Sequence, residues 1–104
     1  MTKVHTHPLC RKFIENLPES TRVHIGKSIY LLKTYGYLLS MPQTKKIAIN
    51  LYEFRVRGEL NVRLFYSFIN QEAYIIHGFI KKSNKIPSKE LKIASKRLKL
   101  LTNK

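Results

Sequence analysis

From Pro8 onward the apolar positions recur at helical spacing. Leu9, Phe13 and Leu17 stand four residues apart with Cys10 and Ile14 beside them, which predicts one apolar stripe on a short helix. Pro18 ends that helix and opens another, because proline lacks the N–H that a helix interior needs yet fits a first turn. The second helix runs to about Tyr35 with Ile25, Ile29 and Leu32 on one face, and Gly36 is its stop signal. Residues 37 to 50, YLLSMPQTKKIAIN, hold no sustained period, and Met41-Pro42 predicts an irregular connection carrying Lys45 and Lys46.

At residue 51 the period changes to two. Tyr52, Phe54 and Val56 fall on one face of a predicted strand, with Glu53, Arg55 and Arg57 on the other. Gly58 to Asn61 make a turn of hairpin length. Residues 62 to 69 and 73 to 80 are apolar on both faces and predict central strands covered on each side, joined by Asn70-Gln71-Glu72. On the third strand the simple alternation puts His77 with Ile75 and Phe79. Residues 87 to 101 place Leu91, Ala94, Leu98 and Leu101 on one helical face among Lys89, Lys92, Lys96, Arg97 and Lys99, a basic amphipathic helix. The order is helix, helix, three strands, helix, with no internal repeat, and residues 1–104 are expected to form a single domain.

Charge turns this outline toward a partner. Twenty Lys and Arg stand against six Glu and no Asp, a formal net charge of +14, so a polyanion is the expected ligand. An anionic membrane is the weaker choice. The longest apolar stretch, IYLLKTYGYLLSM, is interrupted by Lys33 and Gly36 and is shorter than the ~20 apolar residues of a spanning helix. MTKVHTHPLCRKF has neither an apolar core nor a small-residue cleavage site, so no secretory signal is expected there. The lone Cys10 suits a reducing cytoplasm and is read as a packing residue.

The chemistry follows from what is scattered and what is gathered. Six Glu at 15, 19, 53, 59, 72 and 90 form no pair on one strand face of the kind a two-metal nuclease uses. His5 and His7 are close, but His24 and His77 lie on other elements, so no metal site and no cofactor are expected. Arg55, Arg57 and Arg63, with Lys81-Lys82 ending the third strand, are the gathered groups. Arginine forks suit bidentate phosphate contact, and RNA carries its own nucleophile in the 2′-OH. Cleavage without metal is then within reach, with proton transfer falling to Glu53, His77, a lysine or the substrate's surroundings. A protein that only binds RNA would use the same cations, and a pure interaction subunit using its two-sided apolar sheet is a third reading.

The segments LYEFRV, VRLFY, HGFIKK and PSKELKIASKRL, preceded by LPESTRVHIGKSIYLLKTYG and MPQTKKI, resemble in order and spacing the phage-derived HigB-like branch of the RelE/HigB toxin superfamily, over about residues 8 to 101. The resemblance implies an α+β fold in which two N-terminal helices pack on a mostly antiparallel sheet, followed by the basic C-terminal helix. It implies a ribosome-dependent mRNA endonuclease in the cytoplasm, held in a hetero-oligomer by an antitoxin, usually a helix-turn-helix HigA-like protein. By motif position the catalytic cations would be Arg55, Arg63, Lys81 and Lys82, and the RNA-binding surface would take in Arg57, Lys45, Lys46, Lys85 and His77. Glu53 stands where related toxins can carry a lysine, and MTKVHTH leaves little room for the opening strand of the relatives. Because Phe65 and Ile69 share the face of Arg63, apolar surface is expected beside the arginines, where an acidic antitoxin segment would dock; occlusion by an antitoxin bound to the N-terminal helices is the alternative.

Overall fold

A computed structural model describes residues 1–103. The chain runs β1 (Val4–Thr6), α1 (Pro8–Glu15), α2 (Glu19–Tyr35), β2 (Thr44–Ala48), β3 (Leu51–Val56), β4 (Val62–Ile69), β5 (Glu72–Ile80) and α3 (Ser88–Thr102), with a short 3-10 turn over Gly36–Leu38. Five strands form one sheet in the order β1-β5-β4-β3-β2, antiparallel except where β1 lies parallel to β5. This is the expected α+β arrangement of two N-terminal helices, a mostly antiparallel sheet and a basic C-terminal helix.

The helices start and stop where the sequence predicts. Pro8 sits in the first turn of α1, and the His7 ring caps it by accepting from the Leu9 N–H through Nδ1 at 3.1 Å. Leu9 departs from the predicted stripe: it is exposed, and α1 instead turns Cys10, Phe13 and Ile14 inward, with Leu17 following in the link. The entry from β1 through the His7 cap fixes that rotation. Burial pushes the Cys10 thiol up to about 11, as befits a packing residue. Along α2 the inward face is Thr21, Ile25, Ser28 and Leu32. Gly36 closes the helix at φ +51°, where its N–H reaches the Leu32 carbonyl and a Cβ would run into Thr2.

Two strands lie outside the prediction. Thr44–Ala48, read as irregular, pairs with β3 as an edge strand; of its five residues only Thr44 is buried, so one-sided exposure and two lysines hide the period. The opening strand is present but cut to three residues. Asn50 joins β2 to β3 at φ 50° and continues the ladder with its side chain, donating to the Phe68 carbonyl at 2.8 Å and accepting from the Phe68 N–H at 3.0 Å. The β4–β5 turn has positive φ at both Asn70 and Gln71, as a two-residue hairpin of matching twist requires.

The sheet carries a core on each face. Phe54, Val56, Leu64, Tyr66, Phe68, Ala73 and Ile75 pack under the helical hairpin. Leu51, Phe65, Ile76 and Phe79 pack against Ala94, Leu91 and Leu98 of α3. A bulge in β5 decides which residue goes where: Phe65 pairs with His77 but the next residue, Tyr66, pairs with Ile75, so Ile76 is the extra residue. This corrects the alternation read from the sequence. His77 and Phe79 face α3, whereas Ile75 belongs to the hairpin core. The expected apolar surface beside the arginines is corrected at Phe65, which α3 leaves at 0% exposure, while Ile69 keeps partial exposure at the far end of β4.

The His7 cap predicts an acid-sensitive first helix. Burial first, then the positive charge of Arg97 and the neighbouring His77, lower the His7 pKa below its usual 6.5. The unfolded chain therefore binds the proton more readily, and stability falls as pH drops through about 6.5. The incoming proton also occupies Nδ1, the atom that accepts from Leu9. The loss between pH 7.5 and 5.5 should be smaller than the ~1 kcal/mol an N-cap ordinarily contributes, because the ring is only partly buried and is screened by water. Urea midpoints at the two pH values measure it. His7→Asn, which keeps a capping oxygen without titrating, should shrink the difference; an equal drop in that variant would refute the role of the cap.

Candidate nucleic-acid interface

The antiparallel register of β3 and β4 sets Arg55 directly opposite Arg63. One residue pair earlier on the same face, Glu53 stands opposite Phe65. Two like charges on adjacent strands repel at that separation unless something of opposite sign lies between them. Glu53 does: its Oε1 accepts from Arg55 Nε at 3.3 Å, and its Oε2 lies 3.6 Å from Arg63 Nε. The carboxylate is 2% exposed and Arg63 7%, so this triad belongs to the floor of the sheet. Arg55, half-buried, is the member that opens to solvent.

Burial is the leading influence on Arg63, pulling its pKa down; Glu53 opposes that, while Arg55 and Arg57 add to it. A guanidinium starts so far into the basic range that it stays charged. Its hydrogen bonding is incomplete. Arg63 Nε and Nη1 and Glu53 Oε2 are sealed from solvent with no hydrogen-bond partner. Buried donors of this kind are costly to leave empty.

The rim around the triad is cationic. Lys45 of β2 pairs with Glu53 and is exposed on the same face, Arg57 follows at the open end of β3, and Lys81 is held beside Asn61 by its backbone N–H. Helix α3 lies over β5 and β4 and reaches Leu51 and Ile47 at one end of β3 and β2, while Lys45 and Arg57 stay exposed toward the other. Lys82 lies around the corner, in an open cleft it shares with Phe13, Ile80, Lys89 and Ile93. Lys85 is exposed on the loop before α3. Lys46 pairs with Tyr52, whose ring stacks on Tyr66 of the hairpin core, so it emerges on the opposite face. The register thus gathers Arg55, Arg63, Arg57, Lys81 and Lys45 on one face and sets Lys82 and Lys46 apart.

His77 is also set apart, and the reason lies in α3. Its Nε2 is 2.7 Å from Glu90 Oε1 and its Nδ1 3.2 Å from Arg97 Nη1, while Arg97 also donates to the Ile76 carbonyl at 2.9 Å. Arginine can only donate, so Nδ1 accepts and the Nε2–H donates to Glu90. His77, 8% exposed and flanked by Phe65 and Phe79, anchors the last helix to the bulge of β5. Sequence reading missed Glu90 and Arg97 as its partners, although their spacing of seven places both on one helical face two turns apart.

Among the described residues no three His, Cys or carboxylate groups come close enough to hold a metal ion, and no helix is long and apolar enough to cross a membrane. No curated protein matches the chain. A family profile described as phage derived protein Gp49-like (DUF891) matches residues 12–99, which include every strand of the cationic face, and the chain belongs to that family, a toxin-like family of the RelE/HigB type.

Proposed function

We propose that this protein is the toxin of a type II toxin–antitoxin pair, of the HigB-like branch, and that it cleaves mRNA on the ribosome. Membership of a toxin-like family supports the toxin role. The observation that carries the chemistry is the pair Arg55 and Arg63, held abreast on β3 and β4 with Arg55 reaching solvent, beside Arg57, Lys45 and Lys81. The rim cations grip the RNA backbone, and the paired guanidinium groups receive the scissile phosphate. In-line attack by the adjacent 2′-OH builds negative charge on the phosphate oxygens, which fixed arginines stabilise more than they do the ground state. No covalent enzyme intermediate is required. The cytoplasm, where translating ribosomes are, is the proposed location. A helix-turn-helix HigA-like antitoxin is the proposed partner. With Phe65 buried, occlusion of the ribosome-facing surface by bulk, from an antitoxin bound to the N-terminal helices, is favoured over an apolar anchor beside the arginines.

Induced expression should arrest growth and leave codon-positioned cuts in translated mRNA. Ribosome affinity should fall with salt at a slope of about −0.7 per single-strand phosphate contacted. Cleavage should survive excess EDTA when ribosome integrity is maintained separately. Tight, salt-sensitive ribosome binding without cuts would replace this reading with a non-catalytic RNA-binding protein. Loss of cleavage in EDTA, restored by one divalent ion, would overturn the 2′-OH mechanism.

A further inference from the structure

We infer that Glu53 is a positioning residue, which locks Arg55 and Arg63 into one preformed receptor for a phosphodiester oxygen; the inference rests on the endonuclease reading. A carboxylate among phosphate-binding cations is at first sight misplaced, since it repels the substrate. The way it touches its neighbours explains it. Both ion pairs run through Nε, the inner edge of each guanidinium, at 3.3 Å from Arg55 and 3.6 Å from Arg63. The terminal nitrogens of both side chains are thereby left out of the ion pairs: Arg55, the member that reaches solvent, can turn its own toward an anion, while Arg63 Nη1 is sealed from solvent without a partner.

Three further features support the assignment. Glu53 is 2% exposed and makes no polar contact except with these two arginines, so packing gives no reason for a charge there. Arg55 and Arg63 are cross-strand neighbours and would swing apart toward water without a shared counter-charge. Glu53 projects from the middle of β3, one row from both arginines and against the fully buried Phe65, so its carboxylate cannot move away. Its role is to give two flexible cations a single geometry before the substrate arrives, which lowers the cost of organising them in the transition state.

Glu53→Gln tests this by removing the charge and keeping the shape. Single-turnover mRNA cleavage at saturating ribosomes should fall by about 10²-fold, the scale on which misplacement of a catalytic group acts. Ribosome affinity should stay equal or tighten, because a negative charge has been removed. Independently of activity, the Arg63 Nε–H resonance should exchange slowly in the wild-type chain and rapidly in the variant. Glu53→Asp, retaining the carboxylate on a shorter stem, should recover part of the rate and part of the protection, and it serves as the test should the glutamine variant not fold. Wild-type cleavage by Glu53→Gln would overturn the inference, as would unchanged Arg63 Nε–H exchange. So would a variant whose only defect is loss of the limb of the pH–rate profile reporting a base, since Glu53 would then be a proton acceptor. If the wild-type chain cleaves no RNA yet Arg63 protection depends on Glu53, the clamp stands and the endonuclease reading fails.

Discussion

Arg63→Ala is expected to lose mRNA cleavage by about 10²–10³-fold, the effect of deleting one preorganised donor to a transition-state oxyanion. It should also be the least stable variant of the cationic face. Arg63 is 7% exposed and shares Glu53 with Arg55, so its removal leaves a buried carboxylate with one partner at 3.3 Å. Breaking a buried pair from one side costs about 3–5 kcal/mol. Lost activity alone would therefore be ambiguous between a missing catalytic cation and a missing fold. The double substitution Glu53→Met with Arg63→Met separates the two. It replaces the buried ions by apolar side chains of similar length, a change that is often neutral or stabilising. A melting temperature near wild type with no cleavage is the expected result. Cleavage within threefold of wild type in either variant would remove Arg63 from the mechanism. Arg55→Ala, at a half-buried position, should cost less stability for a comparable loss of rate.

Phe65→Ala is expected to destabilise the protein by about 3–5 kcal/mol, the usual cost of truncating a buried aromatic residue. Phe65 has 0% exposure, meets Phe79 edge-on at 5.3 Å between ring centroids, and lies 6.2 Å from the His77 ring. Its loss opens a cavity under Ala94 at the centre of the contact between the sheet and α3. The His77–Glu90 and His77–Arg97 contacts then hold α3 without its apolar seat, and amide exchange in α3 should accelerate before global unfolding. Urea titration measures the loss and hydrogen exchange locates it. A change under 1 kcal/mol with α3 still protected would mean that Phe65 is a surface residue available to a partner, contrary to its place in the core.

The legible part of this protein is the part governed by neighbours in sequence. Helix boundaries at Pro8, Pro18, Gly36 and Pro87 came from backbone chemistry that a residue carries wherever it stands. The strands read at 51–57, 62–69 and 73–80 came from apolar runs and period two, and they lie within a residue of the observed ones. That Arg63 stands directly opposite Arg55 was not legible, because the register of β3 and β4 is set by their pairing. β2 was not legible, because an edge strand with one buried residue owes its existence to hydrogen bonds with β3 and shows no pattern of its own.

The site divides along the same line. Excess positive charge and arginines on a strand face point to a polyanion because charge acts over long range and survives without knowledge of the fold. Which cations act together depends on side-chain direction. Lys45 and Lys46 are adjacent in the chain and emerge on opposite faces, since their strand pairs Lys45 with Glu53 and Lys46 with Tyr52. One bulged residue, Ile76, sends His77 beneath α3 and breaks the alternation that put it with Ile75. Glu53 in the sequence is an anion in a basic stretch; folding strips it of water and sets it against two Nε–H groups. Local stereochemistry and net charge need only the chain, whereas a shared counter-ion, a flipped face and a covered aromatic ring exist only after residues distant in sequence have been packed together and water has been excluded between them.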